Sequence, residues 1–288
     1  MPELPEVHTV LNTLIDSHLV GRWILESRIL WERSVSGSDP DFETALTGLQ
    51  ITSLFRRGKL LVLVLEQGWH MIVHLRMAGM VYVAGTPEDP YIRVACRLED
   101  GRFLCFRDVR KFGRCLFTRD PSPILNRVGP DPLAETFDYQ TLQGLLASRR
   151  RVKPLLLDQT VIGGLGNIYV DEALWYARVH PLRRATSLNS RETKRLAASI
   201  RYVLLQGIRN GGTRLGGGKG NFLPPGGARE PTNQHHLRVF QQAGRPCPRC
   251  GTPIVKSVVA QRGTHTCPRC QPAPVPVPGW SSTLILPE

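Results

Sequence analysis

"CPRC" at residues 247–250 and "CPRC" again at residues 267–270 decide how the C-terminal part of this chain folds. Each pair closes over two residues, so the four thiolates sit on two separate knuckles with the spacing of a zinc ribbon around tetrahedral Zn²⁺. Four sulfur ligands fill the coordination sphere and leave no position for a reactive water. Cys247, Cys250, Cys267 and Cys270 are therefore expected to hold one structural Zn²⁺. A disulfide framework is the weaker reading, because a cytoplasmic chain keeps its thiols reduced. Cys96, Cys105 and Cys115 lack such spacing and lie in strand-like text, which makes them core residues.

Between the knuckles, "KSVVAQRGTHTC" (256–267) reads as a two-stranded hairpin with Arg262 and Gly263 at its tip. An arginine there can reach a nucleic-acid groove or a phosphate, or simply be solvated. The surroundings are basic: Arg238, Arg245, Arg249, Lys256, Arg262 and Arg269 occur between Pro231 and Cys270 without an Asp or Glu. The whole chain of 288 residues carries a net charge of +13. Clustered Lys and Arg of this kind attract phosphates and gain from counterion release, so nucleic acid is the leading partner. An anionic membrane is the rival, but there is no basic amphipathic helix or lipidation signal. No apolar run reaches the roughly 18 residues that span a bilayer. A cytoplasmic location and no membrane partner are expected.

Upstream, "NGGTRLGGGKGNFLPPGGARE" (210–230) is too rich in Gly and Pro for regular structure and reads as a mobile loop. Its "GGGKG" is no phosphate-cradling P-loop, since neither Ser nor Thr follows the Lys. Helical periodicity marks "DYQTLQGLLASR", "KPLLLDQ", "NIYVDEALWYAR" and "SRETKRLAASIRYVLLQGI". Asn167, after the glycines of "GGLGN", stands where a helix N-cap belongs and offers a phosphate site, although capping alone explains it. Lys153, behind the arginines at 149–151, adds to that phosphate reading. "RVGPDPLAE" (127–135) resembles a linker, and the tail "PAPVPVPGWSSTLILPE" (272–288) is Pro-rich and extended.

From about Trp23 to Phe117 the text consists of short β-branched and aromatic runs, such as "KLLVLVLE", "WHMIVHL" and "GRFLCFRD", as in a β-sandwich or barrel. Lys59, after Arg56 and Arg57, opens one such run as a solvated strand end, a phosphate clamp or a proton donor. In "RDVRKFGRC" (107–115) the lone Phe112 reads as a core residue more readily than as an inserted wedge. An amphipathic helix opens the chain, with Val7, Val10, Leu11, Leu14 and Ile15 at helical spacing before Gly21. Its start, "MPELPEV", admits two readings. Pro5 suits the first helical turn, and Glu3 and Glu6 complement the helix dipole. Alternatively, Pro2 becomes a secondary-amine nucleophile once Met1 is removed.

"PELPEV", "RRGK", "HLRMAG", "RDVRKFG", "DQTVIGGLGNIYVDEALW" and the cysteine module occur in this order. Together they resemble the bacterial formamidopyrimidine-DNA glycosylases, which excise oxidised purines (8-oxoguanine, formamidopyrimidines) and nick the strand. The resemblance runs from residue 2 to about 271. It implies an α+β multidomain fold: an N-terminal β-sandwich with an N-terminal helix over 1–130, a helix-two-turn-helix domain with a glycine-rich lid loop over 131–230, a zinc-ribbon hairpin over 231–272 and a Pro-rich tail over 273–288.

The resemblance also assigns roles. Pro2 would attack the sugar and hold the strand as a Schiff base; an α-amine titrates near 8, far below lysine. Glu3 would relay protons, Glu6 would fix the N-terminus, Lys59 would donate a proton in β-elimination, and Arg262 would serve δ-elimination and phosphate binding. His74, Lys153 and Asn167 fall at DNA-contact positions, and Met77, Arg110 and Phe112 would fill the space left by a flipped base. Tyr91 stands where the family usually has a DNA-contacting histidine, and Phe240 where it often has a tyrosine. The implied partner is double-stranded DNA with an oxidised base or abasic site, met by a monomer in the nucleoid-associated cytoplasm. An endonuclease VIII-like enzyme for oxidised pyrimidines and a non-catalytic zinc-ribbon DNA-binding protein are the alternatives.

Overall fold

The computed structural model describes residues 1–37, 42–215 and 230–274. Residues 216–229 of the loop expected at 210–230, and the tail from residue 275, lie outside them. The chain divides into two compact units, Met1–Arg127 with Gly207–Gln234, and Val128–Gln206 with His235–Glu288. The described residues 207–215 and 230–234 thus group with the N-terminal unit, whereas the expected boundaries placed those up to 230 with the preceding helices and 231–234 with the zinc ribbon.

The first unit begins with α1 (Leu4–Asp16). Glu3 is its N-cap, and Glu6 accepts a 2.8 Å hydrogen bond from the Glu3 amide, satisfying a donor the helix start leaves open. Leu4, Val7, Val10, Leu11 and Leu14 are buried, but Ile15 is 47% exposed. The apolar stripe is therefore narrower than the periodicity implies, and the helix ends well before Gly21, with His18 turning left-handed at φ 54°.

The expected β-rich half is a sandwich of two sheets. The strands are β1 (Ile24–Ile29), β2 (Val35–Gly37), β3 (Ile51–Arg57), β4 (Leu60–Leu65), β5 (His70–His74), β6 (Gly79–Ala84), β7 (Ile92–Leu98), β8 (Phe103–Asp108) and β9 (Arg114–Thr118), with a short α2 (Phe42–Leu46) between β2 and β3. One sheet has the order β1-β7-β8-β6 and the other β2-β9-β5-β4-β3. Pairing is antiparallel except for β2 on β9.

Strand β4 lies inside its sheet and buries Leu61, Val62, Leu63 and Leu65. With Val73, Val81, Val94, Phe106, Phe117 and α1, its leucines form one core. Each such side chain contributes about 1.5–3 kcal/mol on burial. Cys96 and Cys115 sit in this core and Cys105 in a smaller cluster with Ile92 and Ala95, as expected of unpaired cysteines. A short α3 (Ser122–Leu125) follows the last strand of the sandwich.

The second unit is built from α4 (Tyr139–Leu145), α5 (Val152–Leu157), α6 (Asn167–Ala177), most of α7 (Ser190–Arg209), and the hairpin of β10 (Val255–Val259) with β11 (Arg262–Thr266). Helix α6 is buried almost all round, from Ile168 to Trp175, and packs against α5 and β11. Trp175, Val239, Ile254, Cys247 and Cys267 form the core under the cysteine module. Among the described residues no helix is long and apolar enough to cross a membrane.

Candidate nucleic-acid and chain-end sites

In the first unit, the chain end and two basic residues share one electrostatic environment. Pro2, Glu3, Glu6 and Lys59 are all buried. The terminal amine, here on Met1, is held below the usual α-amine value, first by burial and also by the charges of Lys59 and Arg110; Glu3 and Glu6 oppose the shift. Lowering this pKa raises the unprotonated, nucleophilic fraction at neutral pH. Glu6 makes a second anchoring contact: its other carboxylate oxygen accepts the Thr213 amide at 2.7 Å. Asn233 in turn donates to the Thr213 hydroxyl at 2.8 Å. One buried carboxylate thus ties the start of α1 to the segment near Thr213.

Lys59 lies in a two-residue turn, with Arg57 and Leu60 paired across the hairpin and Gly58 at φ +57°. His74 faces Leu60 in the adjoining pair. Burial, then Arg76 and Lys59, push its imidazole down to about 4, so it is neutral at physiological pH, and its Nδ1 accepts the Arg76 amide at 3.0 Å. Met77 is half-buried in the turn joining β5 to β6. That turn closes with the Gly79 amide donating to the Leu75 carbonyl at 2.8 Å, and a Cβ on residue 79 would lie 2.5 Å from that oxygen. The glycine of "HLRMAG" is a steric requirement for presenting Met77.

Asp108, fully buried, organises the turn between β8 and β9. Its carboxylate accepts the amides of Arg110 and Gly113. Arg114 adds hydrogen bonds to the carbonyls of Lys111, Phe112 and Gly113. Phe112 is 50% exposed, with the Arg110 guanidinium 5.2 Å from its ring centre. The core reading of Phe112 is overturned: the turn is fastened from within and holds an aromatic side chain outward. Tyr91 is exposed as well, with the Arg107 guanidinium 5.2 Å from its ring centre.

In the second unit the four cysteine sulfurs lie within 4.8 Å of one another. The Cys250–Cys267, Cys250–Cys270 and Cys247–Cys270 separations are 3.4, 3.5 and 3.9 Å. Bonds of about 2.3 Å to a tetrahedral Zn²⁺ require sulfurs about 3.8 Å apart, so the cluster fits one structural zinc. Gln271 braces it, accepting the Cys267 amide and donating to the Val179 carbonyl. Arg249 stacks on Trp175 of α6 at 4.0 Å.

Two sequence expectations need correction here. Asn167 is not the N-cap of α6; Gly166 is, and Asn167 is the first helical residue. Its Nδ2 donates to the Gly263 carbonyl at 2.8 Å, which turns the side chain toward the hairpin tip instead of the helix's own amides. Lys153 does not face solvent. It is 0% exposed, and its three donors meet Asp171 Oδ1 at 2.6 Å, Thr264 Oγ1 at 2.8 Å and the Gly263 carbonyl at 3.1 Å. An ammonium with all its hydrogens so used is not a direct phosphate contact. Arg262, at the start of β11, is exposed.

Sequence reasoning passed over Asp108, Asp171, Glu172 and Thr213. Glu172 is buried, and its carboxylate accepts the amides of Arg238, Val239 and Phe240 at 2.8–2.9 Å. The available signal was "DEA" inside an apolar helix, where two acids occupy positions that the neighbouring residues mark as buried.

Three domain models match the chain: the formamidopyrimidine-DNA glycosylase N-terminal domain over residues 1–115, the H2TH domain of the same enzyme over 128–216, and a zinc finger found in FPG and IleRS over 244–273. Formamidopyrimidine-DNA glycosylases of Protochlamydia amoebophila and a Roseiflexus species are 43% and 45% identical to it, covering 94% of this chain and 99% and 100% of theirs. The crystal structure of MutM (Fpg) from Thermus thermophilus superposes with a TM-score of 0.83 at 38% identity, covering 94% of this chain and 98% of that one. Lactococcus lactis Fpg, in complex with DNA containing N7-benzyl-Fapy-dG, gives 0.83 at 35% identity over 94% and 100%. Sandwich, H2TH helices and zinc hairpin together define a base-excision repair DNA glycosylase with AP lyase activity. The chain belongs to the formamidopyrimidine-DNA glycosylase family.

Proposed function

We propose that this chain removes oxidised purines from double-stranded DNA through an imine on Pro2 and then cuts the strand at the exposed sugar. The observation that carries the reading is the burial of Pro2, Glu3, Glu6 and Lys59 at the chain end, where burial also holds the Met1 amine below its ordinary value. With Met1 removed, the Pro2 nitrogen is the secondary amine at that place. Its lone pair attacks the sugar's C1′, the damaged base departs with the glycosidic electron pair, and ring opening leaves a protonated imine. Glu3, adjacent and buried, moves the proton that base loss and ring opening require. The imine acidifies C2′–H, so loss of that proton expels the 3′-phosphate, and a second elimination expels the 5′-phosphate.

Lys59 acts as proton donor and phosphate grip in those eliminations, and Glu6 holds the chain end in place. His74 and Tyr91 contact the DNA backbone from the first unit, as Asn167 and Arg262 do from the second. The base must leave the stack to react; Met77, Arg110 and Phe112 fill the gap. Zn²⁺ on Cys247, Cys250, Cys267 and Cys270 supplies folding energy to the Arg262 hairpin and no chemistry. The enzyme works as a monomer in the cytoplasm.

Borohydride trapping on duplexes carrying 8-oxoguanine, a formamidopyrimidine or an oxidised pyrimidine tests this. A covalent complex that forms fastest on the purine lesions is expected. No trapped complex would dismiss the imine on Pro2, and a preference for the oxidised pyrimidine would dismiss the purine substrate.

A further inference from the structure

The buried ion pair between α5 and α6 is not used by the chemistry above, yet it fixes the one stretch of hairpin that is. Asp171 and Lys153 are both fully shielded from solvent. Asp171 Oδ1 takes the Lys153 ammonium, while Oδ2 accepts the His265 amide at 2.9 Å and lies 3.3 Å from its ring Nδ1. Lys153 also donates to the Thr264 hydroxyl, which passes its own hydrogen to the Arg262 carbonyl at 2.9 Å. The Gly263 carbonyl receives both Lys153 and Asn167. Four consecutive residues, 262 to 265, are thereby registered against Lys153 of α5 and Asn167 and Asp171 of α6.

Stability is a weak reason for such a pair, since apolar side chains of the same volume often serve a core as well or better. Direction is the stronger reason. Apolar packing is non-directional, whereas these charge-assisted hydrogen bonds set one register, and a slip of one residue in β11 would turn Arg262 to the opposite face.

We infer that Asp171 is a positioning residue: through Lys153 and His265 it locks the Arg262 tip to Asn167, so that the two present to the DNA backbone as one unit. The inference rests on the proposed reading that Asn167 and Arg262 grip that backbone.

The test is the salt dependence of binding by the full, zinc-loaded chain to a duplex with a reduced abasic site. The slope of log K against log[salt] falls by about 0.9 for each phosphate that the protein ceases to neutralise. Arg262→Ala probes the underlying reading and should lower the slope by about one. Asp171→Asn should lower it by a similar amount while one zinc per chain is retained, and combining it with Arg262→Ala should add little further. A merely structural role would reduce the active fraction and leave the slope unchanged. If Asp171→Asn loses zinc or cooperative unfolding, the Lys153→Met/Asp171→Leu double variant, which leaves no buried charge unpaired, takes its place with the same expectation. An unchanged slope in Arg262→Ala would remove the reading itself. A normal slope in the Asp171 variant beside a lowered one in Arg262→Ala, or full additivity of the two, would overturn the inference.

Discussion

The chain-end site and the α6 hairpin site treat buried charge in opposite ways. At the chain end, burial and the neighbouring Lys59 and Arg110 weaken the charged form of an amine, against Glu3 and Glu6. Under the hairpin, Lys153 and Asp171 are matched donor for acceptor. The difference shows how one protein obtains reactivity and rigidity from the same ingredients. A group poised between protonation states can react, while a fully hydrogen-bonded pair can only hold geometry.

The largest break in this comparison comes from moving the amine. Extending the chain ahead of Pro2, verified by mass spectrometry, should lower base excision and borohydride trapping by at least about a thousandfold, as loss of a nucleophile does. DNA affinity should change little, and normal turnover by the extended protein would dismiss Pro2. Replacing Cys247, Cys250, Cys267 or Cys270 by Ser should release the metal and unfold the hairpin, because structural zinc contributes folding energy directly. Metal analysis should give one zinc per chain in the parent and none in the variants.

Lys59→Ala should slow strand cleavage by about a hundredfold or more, the scale of a lost acid or base, with a smaller effect on trapping because elimination follows imine formation. Equal loss of both would make Lys59 a binding residue. Arg110→Ala should erode a preference for cytosine opposite the lesion on the order of tenfold, given about 1–3 kcal/mol for a good base contact. Single-turnover excision opposite all four bases measures it, with Met77→Ala and Phe112→Ala expected to weaken every pairing alike.

The smallest effect is a shift along the pH axis. Burial lowers the Met1 amine, and the same burial disfavours the protonated form of Pro2 once Met1 is gone, so the trapping rate should rise with pH through a midpoint below that of an exposed N-terminal proline in a short peptide. A midpoint above that of the peptide would mean that Glu3 and Glu6 outweigh burial.

What could be read from sequence was local. The cysteine knuckles, the "RRGK" turn and the helix after "GGLGN" have their partners within a few residues or a fixed spacing. The fastening carboxylates do not. Asp171 and His265 are 94 positions apart, and Glu6 and Thr213 are 207 apart. Nothing near Asp171 distinguishes it from a solvated helix acid except its apolar neighbours. Lys153 misled for the same reason: three arginines before it suggest a solvent-facing basic patch, but its helix turns it inward to an acceptor set assembled from elsewhere. Phe112 shows the converse, an aromatic kept outside the core by Asp108, whose burial no local pattern announces.

The hairpin that carries Arg262 closes through Ala260 and Gln261, at φ 48° and φ 60°, where a non-glycine residue costs about 1–2 kcal/mol and Asn-Gly is the favoured pair. Ala260→Asn with Gln261→Gly should therefore raise the melting temperature of the module. It would also place the most pliable residue of all directly beside Arg262. On the proposed role of Arg262 in gripping the DNA backbone, heat tolerance and DNA affinity would move in opposite directions, which makes this turn a dial between storage life and binding in any laboratory use of the protein.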